Sequence, residues 1–485
     1  GETTKTSDNN PTGKTTSQNQ SIISTISQNV SCNSELYSSS SSFYPAGYSL
    51  NDQHQLEARR GANDATSETS SFINLLKGNI GTGVLAMPLG FYYAGLWVGF
   101  ISLPILGFIC LHCMHLLLES NKELCRREHY EFLSLEETAS VAFKTGPIAL
   151  RRHAPLVSAL SKMFLVITQI GFCCVYVGFV SENLFRLIEC QTVGTGLSLP
   201  LYNTMLLVPL LIICSIRQLK TIAYLSVLSG ICHAISLGII FYYCTRGLDH
   251  HAETAAFGGW ANLPLFFGTA MFSFEGIGLI LPIENKMRDP SNFGTRYGVL
   301  TSATFMVIFL YVAMGYYGYI TFGSAILGSI TLNLPSGDLL SMAVQVLVSA
   351  AIFLSYPLQL YVPVHVILAL VCKPSEDPLL EVAKDYVIRL LLVFLTFILA
   401  TAIPDIGLFI SLVGAISSSY LALILPPVVH IVTFWPRTGQ YNLILVKAVA
   451  IIGLGLLGSV IGSYTSLAAI VQSFSSDNNS TILAC

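Results

Sequence analysis

Charge is what this sequence has least of. Asp, Glu, Lys and Arg make up 11% of its residues while 53% are hydrophobic, whereas soluble domains carry about 25% charged residues. A water-soluble globule of 485 residues is thereby excluded, and a polytopic membrane protein is expected. The formal net charge of −3 argues neither way about a nucleic-acid partner, and none is expected. Catalytic constellations are missing as well. No nucleophile with a base and no carboxylate cluster gathers at one membrane face, and His233, His365 and His430 each stand alone in apolar runs, so neither an enzyme nor a cofactor is expected. Cys110, His112, Cys113 and His115 resemble a metal cluster. At about 100° per residue, however, the cysteines fall on one side of a helix and the histidines on nearly the other, so they cannot close a tetrahedral site.

Residues 1–70 lack apolar periodicity and the basic, apolar, small-residue pattern of a signal peptide. Rich in Ser, Thr, Asn and Gln, they are expected to form a disordered cytosolic tail, leaving the first span to target the chain to the membrane. Tyr37, Tyr44 and Tyr48 are not followed three residues later by a bulky apolar residue. With no endolysosomal tyrosine signal, plasma membrane and lysosomal membrane both stand open.

What the sequence has is long charge-free runs. About 20 apolar residues cross the hydrocarbon core, and the runs predict eleven spans, near 72–93, 97–118, 159–186, 201–216, 221–244, 262–283, 298–321, 339–366, 386–403, 407–430 and 444–472. A cytosolic N-terminus leaves only Arg186 and Arg246 on the opposite side, as the positive-inside rule requires. Eleven crossings then carry residues 473–485 out of the cytosol. Asn478-Asn479-Ser480-Thr481 holds two overlapping glycosylation sequons, at Asn478 and Asn479, usable only on that face.

Two spans break in their own middle. Phe72–Ala94 contains Gly81-Thr82-Gly83, and Leu263–Ile283 contains Ser273-Phe274-Glu275-Gly276. Unpaired backbone is costly in hydrocarbon and survives only against protein, water or a ligand. Glycine permits the unusual dihedrals and a close approach. The half-helix after the first break aims free N–H groups at the gap, which suits a carboxylate, while carbonyls at Phe272–Phe274 suit an ammonium. Together the breaks complement a zwitterion. Small residues that merely pack helices closely would leave the same pattern. The two breaks sit in spans one and six, however, and a repeat of five spans inverts the second unit, 262–430, relative to the first, 71–244.

The motifs L-L-K-G-N-I-G-T-G at 75–83, I-T-Q-I-G-F-C-C-V-Y at 167–176, F-F-G-T-A-M-F-S-F-E-G-I-G at 266–278, G-S-I-T-L-N-L-P at 328–335 and I-S-L-V-G-A-I-S-S-S at 410–419 resemble the proton-coupled amino acid transporters of the amino acid/auxin permease superfamily. The resemblance runs from about Phe72 to the last span. It implies an all-α, LeuT-type fold of 5+5 inverted repeats with broken helices one and six, plus a peripheral span at 444–472. It also implies secondary transport of small amino acids with a proton as coupling ion, and the glycines and other small residues near the breaks favour small neutral substrates such as glycine, alanine or proline. By resemblance, the backbone of Gly81, Thr82 and Gly83 holds the substrate carboxylate, Phe272, Ser273 and Phe274 hold the amino group, and Tyr176 closes the outer side. Ser355 and Gln359 are further candidates.

Glu275 is the proton-coupling candidate, because a carboxyl group at mid-span is expensive to keep charged. A hydrogen-bonded glutamate that only fixes the unwound segment is the structural alternative. The resembled family often carries a histidine where this chain has Asn74, and asparagine cannot titrate, so coupling is expected to rest on Glu275 alone or to give way to facilitated exchange. A nutrient sensor on the same scaffold is the other alternative. Lys77 reads as a gating charge, a snorkelling lysine or half of an ion pair, and Glu284 reads as a solvated helix end. The family's extracellular bridge cannot form here, since no cysteine occurs at 333–338, and Cys190 with Cys485 is a candidate pair in an oxidising compartment.

Overall fold

The computed structural model describes residues 1, 66–190, 196–246, 252–371, 377–403, 405–436 and 443–476. All but Gly1 belong to one compact unit, His54–Cys485. The expected tail as far as residue 65, the sequons at Asn478 and Asn479, and Cys485 lie outside the described residues.

Long apolar runs cannot leave backbone groups unpaired in lipid, so they fold into helices that satisfy them internally. Among the described residues there is no strand beyond an isolated bridge between Thr66 and Met287. Nine helices there are long and apolar enough to cross a membrane, and Leu199–Cys214 is a shorter apolar one. We number the helices α1 (Glu68–Asn79), α2 (Thr82–Ala94), α3 (Leu96–Glu128), α4 (Leu135–Thr145), α5 (Ala154–Phe185), α6 (Leu199–Cys214) and α7 (Leu219–Arg246). The second half comprises α8 (Leu263–Ser273), α9 (Ile277–Lys286), α10 (Val299–Phe322), α11 (Leu339–Val371), α12 (Pro378–Ala402), α13 (Ile406–Val413), α14 (Leu425–Phe434) and α15 (Leu443–Ser476). Two π-helical turns, Gly414–Ser418 and Tyr420–Ile424, join α13 to α14.

The first expected break falls slightly earlier than Gly81-Thr82-Gly83. α1 ends at Asn79, Ile80 and Gly81 are non-helical, and Thr82 and Gly83 already form the first turn of α2. The second break lies where the sequence places it, with α8 ending at Ser273 and α9 starting at Ile277. α1 starts within the expected tail, at Glu68, because the Ser67 hydroxyl accepts the Ser70 N–H at 3.2 Å and caps it. Just ahead of that cap, Thr66 N–H donates to the Lys286 carbonyl (2.8 Å), Arg288 N–H donates to the Thr66 carbonyl (3.0 Å), and Asn292 Nδ2 donates to Glu68 at 2.8 Å. The start of one broken helix is thus pinned to the end of the other.

α4 was not expected. Its signal is a capping box in which Ser134 and Glu137 each satisfy the other's backbone N–H. The turn between α2 and α3 is made at Gly95, whose φ of +87° is disfavoured for any side chain. A Cβ there would also strike the backbone of Phe257 and Gly258.

Lipid is as apolar as leucine, so helix contacts here depend on close packing and on polar groups rather than on expulsion of water. Gly458 and Gly462 of α15 abut Phe267 and Ala415, and the Ser411 hydroxyl reaches Ser466 at 3.0 Å and the Leu265 carbonyl at 3.0 Å. α15 is nonetheless peripheral. Its apolar window is 17% buried, against 72% for the Leu263–Lys286 pair. Glu284, expected to be solvated, is instead 4% exposed and pairs with Lys122 of α3 at 3.1 Å, because α9 packs its last turn against α3 rather than ending in water.

Candidate functional site

The two breaks face each other at the centre of the fold. A Cβ built on Gly83 would lie 2.7 Å from the Ser273 hydroxyl oxygen and 2.8 Å from the Ser273 Cα. A Cβ on Gly276 would lie 2.9 Å from Asn79 Nδ2. Glycine at both positions therefore lets α2 approach the backbone of α8, and lets the Asn79 side chain at the end of α1 lie against the start of α9.

At the first break, Gly81 precedes α2 with no side-chain cap. The opening N–H groups of such a helix have no partner in their own helix, and its dipole places partial positive charge there. At the second break, the carbonyls at the end of α8 point the opposite partial charge into the same region. Thr82 (2% exposed) and Ser273 (4%) are screened from bulk solvent, which strengthens any charge-assisted bond made between these helix ends.

Tyr311 of α10 joins the breaks. Its hydroxyl lies 2.5 Å from the Asn79 carbonyl oxygen and 2.8 Å from the Ser273 carbonyl oxygen, sharing one O–H between the last residue of α1 and the last residue of α8. Sequence reasoning missed this residue, since α10 carries four tyrosines and nothing in their spacing tells which one faces the breaks.

Tyr176 of α5 stands over the first break, where a Cβ on Gly81 would lie 3.5 Å from its hydroxyl oxygen. Gln359 Nε2 of α11 donates to that oxygen at 3.3 Å. Beside it, Phe172 meets Phe272 edge-on with centroids 4.6 Å apart, and Phe274 packs on Tyr311 at 5.3 Å. The structure thus brings together Gly81, Thr82, Gly83, Tyr176, Phe272, Ser273, Phe274 and Gln359. Ser355 is directed elsewhere, to Ser229 of α7 at 2.6 Å.

Glu275 lies between α8 and α9, facing Ser418 in the first π-helical turn. Its Oε2 and the Ser418 hydroxyl are both buried, and neither has a partner in good hydrogen-bond geometry. π-helical turns widen a helix locally and often mark functional positions. His233 of α7 was also missed as a site residue. Its imidazole faces the Gly81 backbone, and its Nε2 is buried with no partner. One turn earlier on α7, the Lys77 stem runs across Gly230, whose added Cβ would lie 3.2 Å from Lys77 Cδ. Asn74 is exposed on α1.

A family model described as transmembrane amino acid transporter protein matches residues 64–468. The Drosophila melanogaster protein named proton-coupled amino acid transporter-like protein pathetic is 35% identical over 416 residues, covering 85% of this chain and 87% of that protein. The Caenorhabditis elegans protein named probable amino acid transporter skat-1 is 26% identical over 441 residues, covering 88% and 95%. Among solved structures, Mhp1 in its inward-facing conformation superimposes over 86% of this chain and 92% of its own, with a TM-score of 0.53 at 13% identity, a likeness of fold alone.

Proposed function

Because this chain belongs to the transmembrane amino acid transporter family, whose members are transporters and not enzymes, we propose that it moves small neutral amino acids across a membrane by alternating access, with a proton as coupling ion. The observation that carries this reading is the contact of Gly83 with Ser273, which sets the N-terminus of α2 beside the C-terminus of α8. A zwitterion placed there meets N–H groups with its carboxylate and carbonyls with its ammonium. The carboxylate falls to Gly81, Thr82 and Gly83, the ammonium to Phe272, Ser273 and Phe274, and Tyr176 with Gln359 forms the lid. Phe172 and Phe272 close the space beside the α-carbon, which favours glycine, alanine or proline over bulky side chains.

In this reading α1–α3 and α5–α15 make eleven crossings in the LeuT-type arrangement, ten of them in two inverted repeats, with α4 outside the spans and the N-terminus cytosolic. The bundle of α1, α2, α3, α8, α9 and α10 rocks against the scaffold of α5, α6, α7, α11, α12 and the α13–α14 span. Glu275 carries the proton. Its unpartnered Oε2 and the printed name of the Drosophila relative support that role. Asn74 favours a second reading, facilitated exchange or sensing on the same scaffold without a coupled proton. Uptake of labelled glycine, alanine and proline into liposomes containing only this protein, with and without an inward proton gradient, tests both. Gradient-driven accumulation supports symport, uptake that stops at equilibrium supports a facilitator, and binding without uptake supports a sensor.

A further inference from the structure

Away from the breaks, a groove of about 580 Å³ runs between the Arg246 end of α7 and the start of α11. One part of it is apolar. Ile235 and Ile239 stand one turn apart on α7, and Leu340 faces them from α11. Gly238 lies between, and a Cβ added to it would meet no heavy atom within 4 Å. This glycine opens a notch instead of serving a close helix contact. Ile235 is 50% exposed and Leu340 43%. On helices that cross hydrocarbon such surfaces meet lipid, so the occupant of the groove comes from the membrane.

The other end is polar. The Arg246 guanidinium lies over the Tyr242 ring, 5.1 Å from its centroid, and the Tyr243 hydroxyl donates to the Asp338 carboxylate. Tyrosine and arginine at the end of a span settle at the level of the lipid headgroups. The apolar part therefore lies just beneath that level. One carboxylate and one guanidinium cancel in net charge while offering both an acceptor and a donor, a combination that matches a neutral hydroxyl.

We propose that this groove is a sterol-binding site, with the fused rings seated on Ile235, Gly238 and Ile239 and the hydroxyl held between Asp338 and Arg246. The volume falls within the range of about 300–1,000 Å³ typical of small-molecule sites. A phospholipid is disfavoured because its flexible chains would lose conformational freedom that a rigid ring system never had. The site is separate from the transport cradle and does not depend on it.

The experiment is photolabelling of the full chain in phosphatidylcholine nanodiscs with a diazirine analogue of cholesterol, followed by peptide mapping. Label is expected to concentrate within 235–246 and around Leu340, to be competed by cholesterol and far less by its 3α-hydroxyl epimer, and to fall about tenfold in Gly238→Leu, the loss typical of a blocked apolar contact. The epimer comparison uses the unaltered protein and so stands whether or not the variant folds. The proposal is overturned if label spreads evenly over the lipid-facing sides of α7, α12 and α15, if the two epimers compete equally, or if photoreactive phosphatidylcholine labels the same peptides as strongly.

Discussion

Gly83 leaves no room for a side chain against Ser273: a Cβ there would come within 2.8 Å of the Ser273 Cα, which is backbone and cannot swing away. Overpacking of this kind costs about 1–3 kcal/mol, or about 5- to 150-fold if expressed as loss of the binding-competent arrangement. Gly83→Ala is expected to cut uptake within that range while membrane abundance stays normal. Normal uptake by this variant would mean that the two breaks need not touch.

Tyr311→Phe removes the hydroxyl shared by the Asn79 and Ser273 carbonyls and keeps the ring against Phe274. Leaving buried carbonyls without that donor costs about 1–3 kcal/mol. The variant is expected to unfold at lower temperature in detergent and to bind substrate more weakly, whereas loss of a merely space-filling tyrosine hydroxyl would change neither.

Glu275→Gln keeps shape and hydrogen-bonding capacity but cannot take up or release a proton. If Glu275 couples transport to protons, uptake by the wild type rises as the entry side is made more acidic, and uptake by the variant is flat with pH. An unchanged proton-driven current in Glu275→Gln would assign the residue a structural role.

The Asp385 carboxylate holds Arg389 at 3.0 Å and Arg217 at 2.7 Å, with Asp385 and Arg389 side chains each 4% exposed. Asp385→Ala strands a buried guanidinium, and breaking a buried pair from one side costs about 3–5 kcal/mol. The double change Asp385→Leu with Arg389→Met is expected to recover most of that loss in thermal unfolding. Equal destabilisation by single and double changes would contradict the assignment.

The breaks themselves were legible because glycine and a carboxylate have no business in the middle of an apolar run unless backbone or ligand requires them. Their boundaries were less so. Gly81 ends up ahead of α2 while Thr82 and Gly83 adopt helical dihedrals, a choice made by the packing of Gly83 on Ser273. Tyr311, His233 and the pairing of Glu284 with Lys122 were not legible, since each depends on which side of a helix faces which neighbour, and nearly uniform apolar spans carry little amphipathic signal. α4 was legible and overlooked. Its capping residues, Ser134 and Glu137, sit in a charged stretch that reads as loop when only hydrophobic runs are counted.

The central claim is that opposed helix ends hold both poles of one small zwitterion, and competition against labelled alanine uptake in proteoliposomes tests it most directly. Unlabelled alanine is expected to compete, while ethylamine, which keeps the ammonium alone, and propionate, which keeps the carboxylate alone, fail at the same concentration. Competition by either fragment as strong as that by alanine would contradict it.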